Sequence, residues 1–138
     1  MPAISAAFDD LLTLARSARE QAYAPYSNFQ VGAALLTRDG RRFSGCNVEN
    51  ASYGLCNCAE RTALFSAIAA GCRPGDFAAL AVVANTENPV SPCGACRQVM
   101  SELCDDAMPV LLANLHGDTQ QTSVAALLPG SFKLPLSA

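Results

Sequence analysis

AALAVVANTENPVSPCGACRQVMSEL, residues 78–103, decides the architecture. Ala78–Ala84 is a short continuous apolar run containing Val82 and Val83, which fits an interior strand. Asn85–Pro92 reads as a loop, and Pro89 and Pro92, with φ locked by their rings, stiffen the approach to Cys93. From Gly94 the apolar residues Ala95, Val99, Met100 and Leu103 recur at helical spacing, so Cys93 and Cys96 lie at a helix start. Residues 109–115 then read as another strand. A helix after an interior strand implies a crossover, and hence a sheet that is parallel in its later part with helices on its faces. Pockets in such folds open at the strand ends where helices begin.

The same pattern extends upstream. Phe8, Leu11, Leu12, Ala15, Ala18 and Ala22 fall at spacings of three and four, predicting an amphipathic helix over residues 6–22. Ser5 is its expected cap, with Asp9 and Asp10 near its start. Pro25 ends the helix, and residues 29–36 and 41–47 read as a hairpin turning at Asp39-Gly40. Gly32, Ala33 and Ala34 imply close approach of a helix or a ligand. Residues 58–70 form an almost wholly apolar run of good helix formers, expected to be largely buried and to end at Gly71. A weak edge strand over 120–123 and a short helix over 124–128 complete the order. The expected fold is α/β, with residues 1–138 forming one domain.

The chemistry concentrates at Cys58-Ala59-Glu60 and Pro92-Cys93-Gly94-Ala95-Cys96. A CxxC turn brings two sulfurs to one ion, and Cys58 is supplied by a second element. Thiolates are soft ligands suited to zinc, and a catalytic zinc usually takes three protein ligands, leaving a position for water. Helix amino termini at both segments favour thiolate. Two other readings stand beside this one: three buried small hydrophobes, or a closed structural site in which Cys56 is the fourth sulfur. Seven cysteines cannot all pair within the chain, which points to a reducing compartment, and the four outside the motif read as packing residues.

Other function classes find little support. The formal charge is −3 and no basic block is present, which argues against long nucleic acid. No apolar run reaches membrane-spanning length and the amino terminus has no basic start, so a cytoplasmic protein is expected. His116 is the only histidine and reads as a turn residue, and neither GxGxxG nor a Walker pattern occurs.

CxE followed by PCxxC is a known signature of zinc-dependent nucleoside and base deaminases. With NVENASYGLCNCAERTAL (residues 47–64) and SPCGACRQV (91–99), the chain resembles the small homotetrameric cytidine deaminases from AYAPYSNFQVGAAL (22–35) through LLPGSF (127–132). The resemblance implies a three-layer α/β/α sandwich with a five-stranded mixed sheet, one zinc per subunit, and composite active sites in a homotetramer. It implies Cys58, Cys93 and Cys96 as ligands and Glu60 as proton shuttle. Asn47 and Glu49 match residues that bind the ribose hydroxyls, and Phe29 matches an aromatic near sugar and base. Phe132 matches an aromatic contributed to a neighbouring subunit. The Ala59 amide would face the base carbonyl, and the Ser91 carbonyl would accept from the amino group. Arg61 would donate to ligand sulfurs and relieve the excess charge of three thiolates, with Gln98 supporting the same loop. The implied activity is hydrolysis of cytidine and deoxycytidine to uridine and deoxyuridine, in pyrimidine salvage.

Overall fold

Helix α1 spans Pro2–Arg19 in the computed structural model, which describes residues 2–135. It starts before residue 6 because Pro2, with its fixed φ and absent amide donor, suits a first helical position. Position 5 therefore lies inside the helix rather than capping it, and Asp9 and Asp10 fall beyond its first turn. Its end comes before residue 22. The amides of Glu20, Gln21 and Ala22 bond three residues back, tightening the last turn, and the Tyr23 amide is then taken by Asn47 O at 3.0 Å.

Strands β1 (Val31–Thr37) and β2 (Arg42–Cys46) form the expected hairpin, paired from Gly32↔Cys46 to Leu36↔Arg42. Gly40 sits at φ 91° in its turn, a conformation that favours glycine. A 3₁₀ turn at Tyr53–Leu55 precedes helix α2 (Ala59–Ala69). Strand β3 (Phe77–Ala84) pairs antiparallel with β1. Helix α3 (Gly94–Leu103) crosses to β4 (Pro109–Ala113), which lies parallel to β3. Strand β5 (Thr119–Ser123) closes the far edge antiparallel to β4, and helix α4 covers Val124–Leu127. The five-stranded mixed sheet has the order β2-β1-β3-β4-β5.

Alternation along the strands divides the core in two. Ala34, Ala81, Val83, Leu111 and Ala113 face Leu11, Leu12 and Ala15 of α1. Ala33, Leu35, Leu80, Val82, Val110 and Leu112 face residues of α2, α3 and α4 on the other side. This is the three-layer α/β/α arrangement with both faces of the sheet covered. Helix α2 is less buried than its composition suggests. Ala59, Glu60, Ala63, Leu64 and Ala67 face inward, whereas Phe65 is 47% exposed, because an outer-layer helix has only one face to set against the sheet. Among the described residues no helix is long and apolar enough to cross a membrane.

Two glycines set how closely the helices approach. A Cβ on Gly32 would lie 2.0 Å from Ala15 O, so the small residues of β1 accommodate α1. A Cβ on Gly45 would lie 2.5 Å from both Ala59 O and Ala63 N, in the helix that carries the CxE residues. Backbone is on both sides of that contact, so nothing flexible can yield. Gly45→Ala is expected to destabilise the fold by about 2–3 kcal/mol. A urea midpoint unchanged from the parent protein would contradict this close seat.

Candidate active site

Cys58 and Cys93 occupy equivalent places, each the residue before the first turn of a helix and each in extended backbone conformation. Neither side chain caps its own helix, so both sulfurs are free to meet. Their Sγ atoms are 3.6 Å apart, and Cys96, in the first turn of α3 and fully buried, completes a triad whose sulfurs all lie within 4.8 Å of one another. Three sulfurs at about 2.3 Å from a tetrahedral zinc would sit about 3.8 Å apart, so the donor set fits that ion in chemistry and spacing.

Cys56 does not join them. Its Sγ accepts from Asn50 N at 3.3 Å and lies 3.6 Å from Asn50 O, tying down the loop before the 3₁₀ turn. Among the described residues the metal-competent group is Cys58, Cys93 and Cys96, which speaks against a closed four-sulfur site. Cys72 and Cys104 are buried packing residues as expected, whereas Cys46 and Cys56 are only partly buried.

The electrostatics favour thiolate at the centre. The Cys58 thiol is held well below the usual thiol range, chiefly by the hydrogen bond from Cys96, with donors from Arg61 and Cys93 adding to it. Cys96 moves the opposite way for the same reason, so the pair shares one proton that metal binding would release. Arg61 Nη2 donates to Cys58 Sγ at 3.3 Å, and its Nε is buried with no hydrogen-bond partner among the described residues. That guanidinium is therefore committed to the sulfur centre rather than to solvent. Beside it, Glu60 is 4% exposed and its carboxyl is pushed up to about 7, first by burial and further by the nearby Cys58 charge. A carboxyl poised near neutrality next to three thiols can both take and return a proton.

This architecture has counterparts. Residues 7–112 match the family model described as cytidine and deoxycytidylate deaminase zinc-binding region. The chain belongs to this cytidine deaminase family. A cytidine deaminase from Sporosarcina psychrophila is 60% identical over 124 residues, covering 90% of each chain. One from Halalkalibacterium halodurans is 62% identical over 122 residues, covering 88% of this chain and 91% of that one. The crystal structure of a Burkholderia pseudomallei cytidine deaminase superposes with a TM-score of 0.89 at 65% identity, covering 90% of this chain and 98% of that one. As a member of a zinc-binding family with a three-cysteine cluster, the chain is a zinc enzyme of the deaminase type.

The other residues singled out for this family fall into separate groups. Asn47 and Glu49 leave β2 together with Phe29 opposite them. The Asn47 amide donates to Phe29 O and accepts from Val31 N, both at 2.8 Å. A side chain thus replaces the strand ladder there, which is why β1 begins at 31 rather than 29. Phe29 remains 42% exposed. Ala59 is buried at the start of α2, between Cys58 and Glu60. Phe132 is 64% exposed on the carboxy-terminal segment, where neighbouring Lys133 donates to the carbonyl and hydroxyl of Ser101 and pairs with Asp106. A cavity of about 350 Å³ near Lys133 lies at the carboxy-terminal end of α3, a helix length from the thiols.

Sequence reasoning missed Arg97. Its guanidinium donates to Pro92 O and Leu127 O at 2.8 Å and to Ser91 Oγ at 2.6 Å, fastening the loop that delivers Cys93 to α3 and α4. Gln98, its neighbour, is partly buried on the same helix. A single arginine after CxxC gives no local signal, because its acceptors come from three separate positions. Strand β4 also stops short, at Ala113 rather than 115, because the buried Asn114 side chain takes the amides of His116 and Asp118. His116 lies in the turn expected of it.

Proposed function

We propose that this chain hydrolyses cytidine and deoxycytidine to uridine and deoxyuridine with release of ammonia, serving pyrimidine salvage in the cytoplasm. The observation that carries this reading is the buried Glu60 carboxyl set against a cluster of three thiols at two helix amino termini. Cys58, Cys93 and Cys96 would hold one zinc per subunit, which supplies an acidified water as nucleophile at neutral pH.

Glu60 takes a proton from the attacking water and delivers it to the ring nitrogen next to the carbon bearing the amino group. That carbon thereby accepts hydroxide. Glu60 next moves the hydroxyl proton to the amino group, which leaves as ammonia. One carboxyl near neutrality serves both transfers, acting as base and then as acid. Its burial excludes water that would compete for the proton.

The remaining residues bind and orient. Asn47 and Glu49 take the ribose hydroxyls, Phe29 packs near sugar and base, the Ala59 amide faces the base carbonyl, and the Ser91 carbonyl accepts from the leaving amino group. Arg61 draws charge from the thiolates, and Gln98 supports the CxxC loop alongside Arg97. Residues 1–138 act as one domain, and four copies assemble a homotetramer in which Phe132 reaches a neighbouring subunit's site. The exposed aromatic residues Tyr26, Tyr53 and Phe132 support such an assembly.

Ammonia release from cytidine, deoxycytidine, cytosine and cytidine monophosphate tests the substrate. Both nucleosides should turn over, with kcat/KM for the free base lower by about 10²-fold or more, because polar groups built for the sugar would be left unpaired. Cytidine monophosphate should also be poor. Equal turnover of cytosine would overturn the assignment of Asn47 and Glu49.

A further inference from the structure

Glu49 does not stand free in its pocket. Its Oε1 accepts the backbone amides of Tyr26 at 3.0 Å and Ser27 at 3.1 Å, and its Oε2 accepts the Ser27 hydroxyl. Ser27 Oγ in turn accepts the Phe29 amide at 3.0 Å. The loop is closed on itself as well, with Asn28 N donating to Ala24 O at 2.9 Å and Asn28 held at φ 58°, the left-handed region that asparagine tolerates. One hydroxyl therefore joins the carboxylate to the backbone just before β1. Tyr26, Ser27, Glu49, Tyr53 and Cys56 line a cavity of about 170 Å³.

Three donors occupy Glu49 from the loop side, yet a carboxylate has about four acceptor sites. What remains is fixed in direction by what has been used. The Ser27 hydroxyl also holds the carboxyl below its ordinary range, keeping it ionised as an acceptor. We propose that Ser27 is a positioning residue that orients Glu49 toward a substrate hydroxyl and so sets discrimination between nucleosides with and without a 3′ hydroxyl. This rests on the reading of Glu49 as the ribose contact. Ser27 touches the carboxylate, not the reacting atoms.

The test compares cytidine with 3′-deoxycytidine in Ser27→Ala, Ser27→Thr and Glu49→Ala. Losing one charge-assisted hydrogen bond should lower kcat/KM for cytidine about tenfold in Ser27→Ala, mainly through KM. Turnover of 3′-deoxycytidine should stay within about twofold, because no bond to the missing hydroxyl is lost. Ser27→Thr keeps a hydroxyl and should restore the preference. If Glu49→Ala retains the parent preference for cytidine, the reading of Glu49 fails and the proposal falls with it. If Glu49→Ala loses the preference while Ser27→Ala keeps it, Ser27 has no positioning role. Equal losses on both substrates in Ser27→Ala would likewise overturn the proposal, since they would show a general effect on the loop.

Discussion

Glu60→Gln should lower kcat by about 10²- to 10⁴-fold, the range expected when a general acid-base group is removed. Zinc content should remain at one per chain. Glutamine has nearly the same shape, so the buried space at the start of α2 stays filled and Cys58, Cys93 and Cys96 keep their places. An amide, however, cannot accept a proton from water and later return it. The substitution therefore separates metal binding from proton transfer. Near-normal deamination by Glu60→Gln would remove Glu60 from the mechanism.

The same variant has a stability consequence of opposite sign. A carboxyl at about 7 in the folded chain against an ordinary value of 4.5 binds more protons folded than unfolded between those pH values. Burying it costs nothing below pH 4.5, costs progressively more up to about 7, and costs a constant amount above. At pH 8 metal-free Glu60→Gln should accordingly be more stable than the metal-free parent, by about 2–4 kcal/mol. Below pH 4.5 the two should converge. Urea midpoints of both proteins across this pH range in the presence of chelator check the sign. A mutant that is inactive yet more stable would mean that the carboxyl is held in place for chemistry at the fold's expense.

Much of this was legible in the sequence because it depends on local rules. Helix α3 was readable to the residue because proline and a glycine-bearing turn mark its start and its apolar positions recur on one face. The sheet followed from a hairpin turn and two apolar runs separated by a crossover helix. The thiol cluster was readable because CxxC and CxE fix which atoms are close within each segment, and the fold needed only to bring two helix starts together. What could not be read depends on contacts between distant segments. Strand ends moved where Asn47 and Asn114 substituted side-chain groups for ladder partners. Arg97 finds acceptors at Ser91, Pro92 and Leu127, and Ser27 finds its acceptor at Glu49, 22 positions away. Neither pairing follows any periodicity. The outward face of α2 is not legible in the sequence, because composition gives a helix's apolarity, not how many of its sides meet other layers.

Cys58→Ala should lose zinc and much of the fold's stability together, for reasons that can be separated. Ligand loss comes first: two sulfurs on one helix start remain, and the link between α2 and α3 through a shared ion is gone. Structural zinc binding in peptides is worth about 10–16 kcal/mol at neutral pH, so even a fraction of that coupling is a large part of a domain's stability. The second loss concerns Arg61. Its Nη2 gives up the Cys58 acceptor while its Nε already lacks a partner, leaving Cys96 as the one sulfur beside a partly buried guanidinium. That should add about 1.5–3 kcal/mol, the worth of a hydrogen bond to a charged group. Thermal melts of parent and mutant with and without chelator resolve the two. Chelator should lower the parent's Tm sharply and leave the mutant's unchanged. Any gap remaining between the chelated parent and the mutant then measures what the Cys58 sulfur contributes free of metal, its bond from Arg61 together with its contacts to Cys93 and Cys96. A mutant that still carries one zinc per chain would exclude Cys58 as a ligand, and a chelated parent melting with the mutant would confine Arg61 to tuning the bound metal.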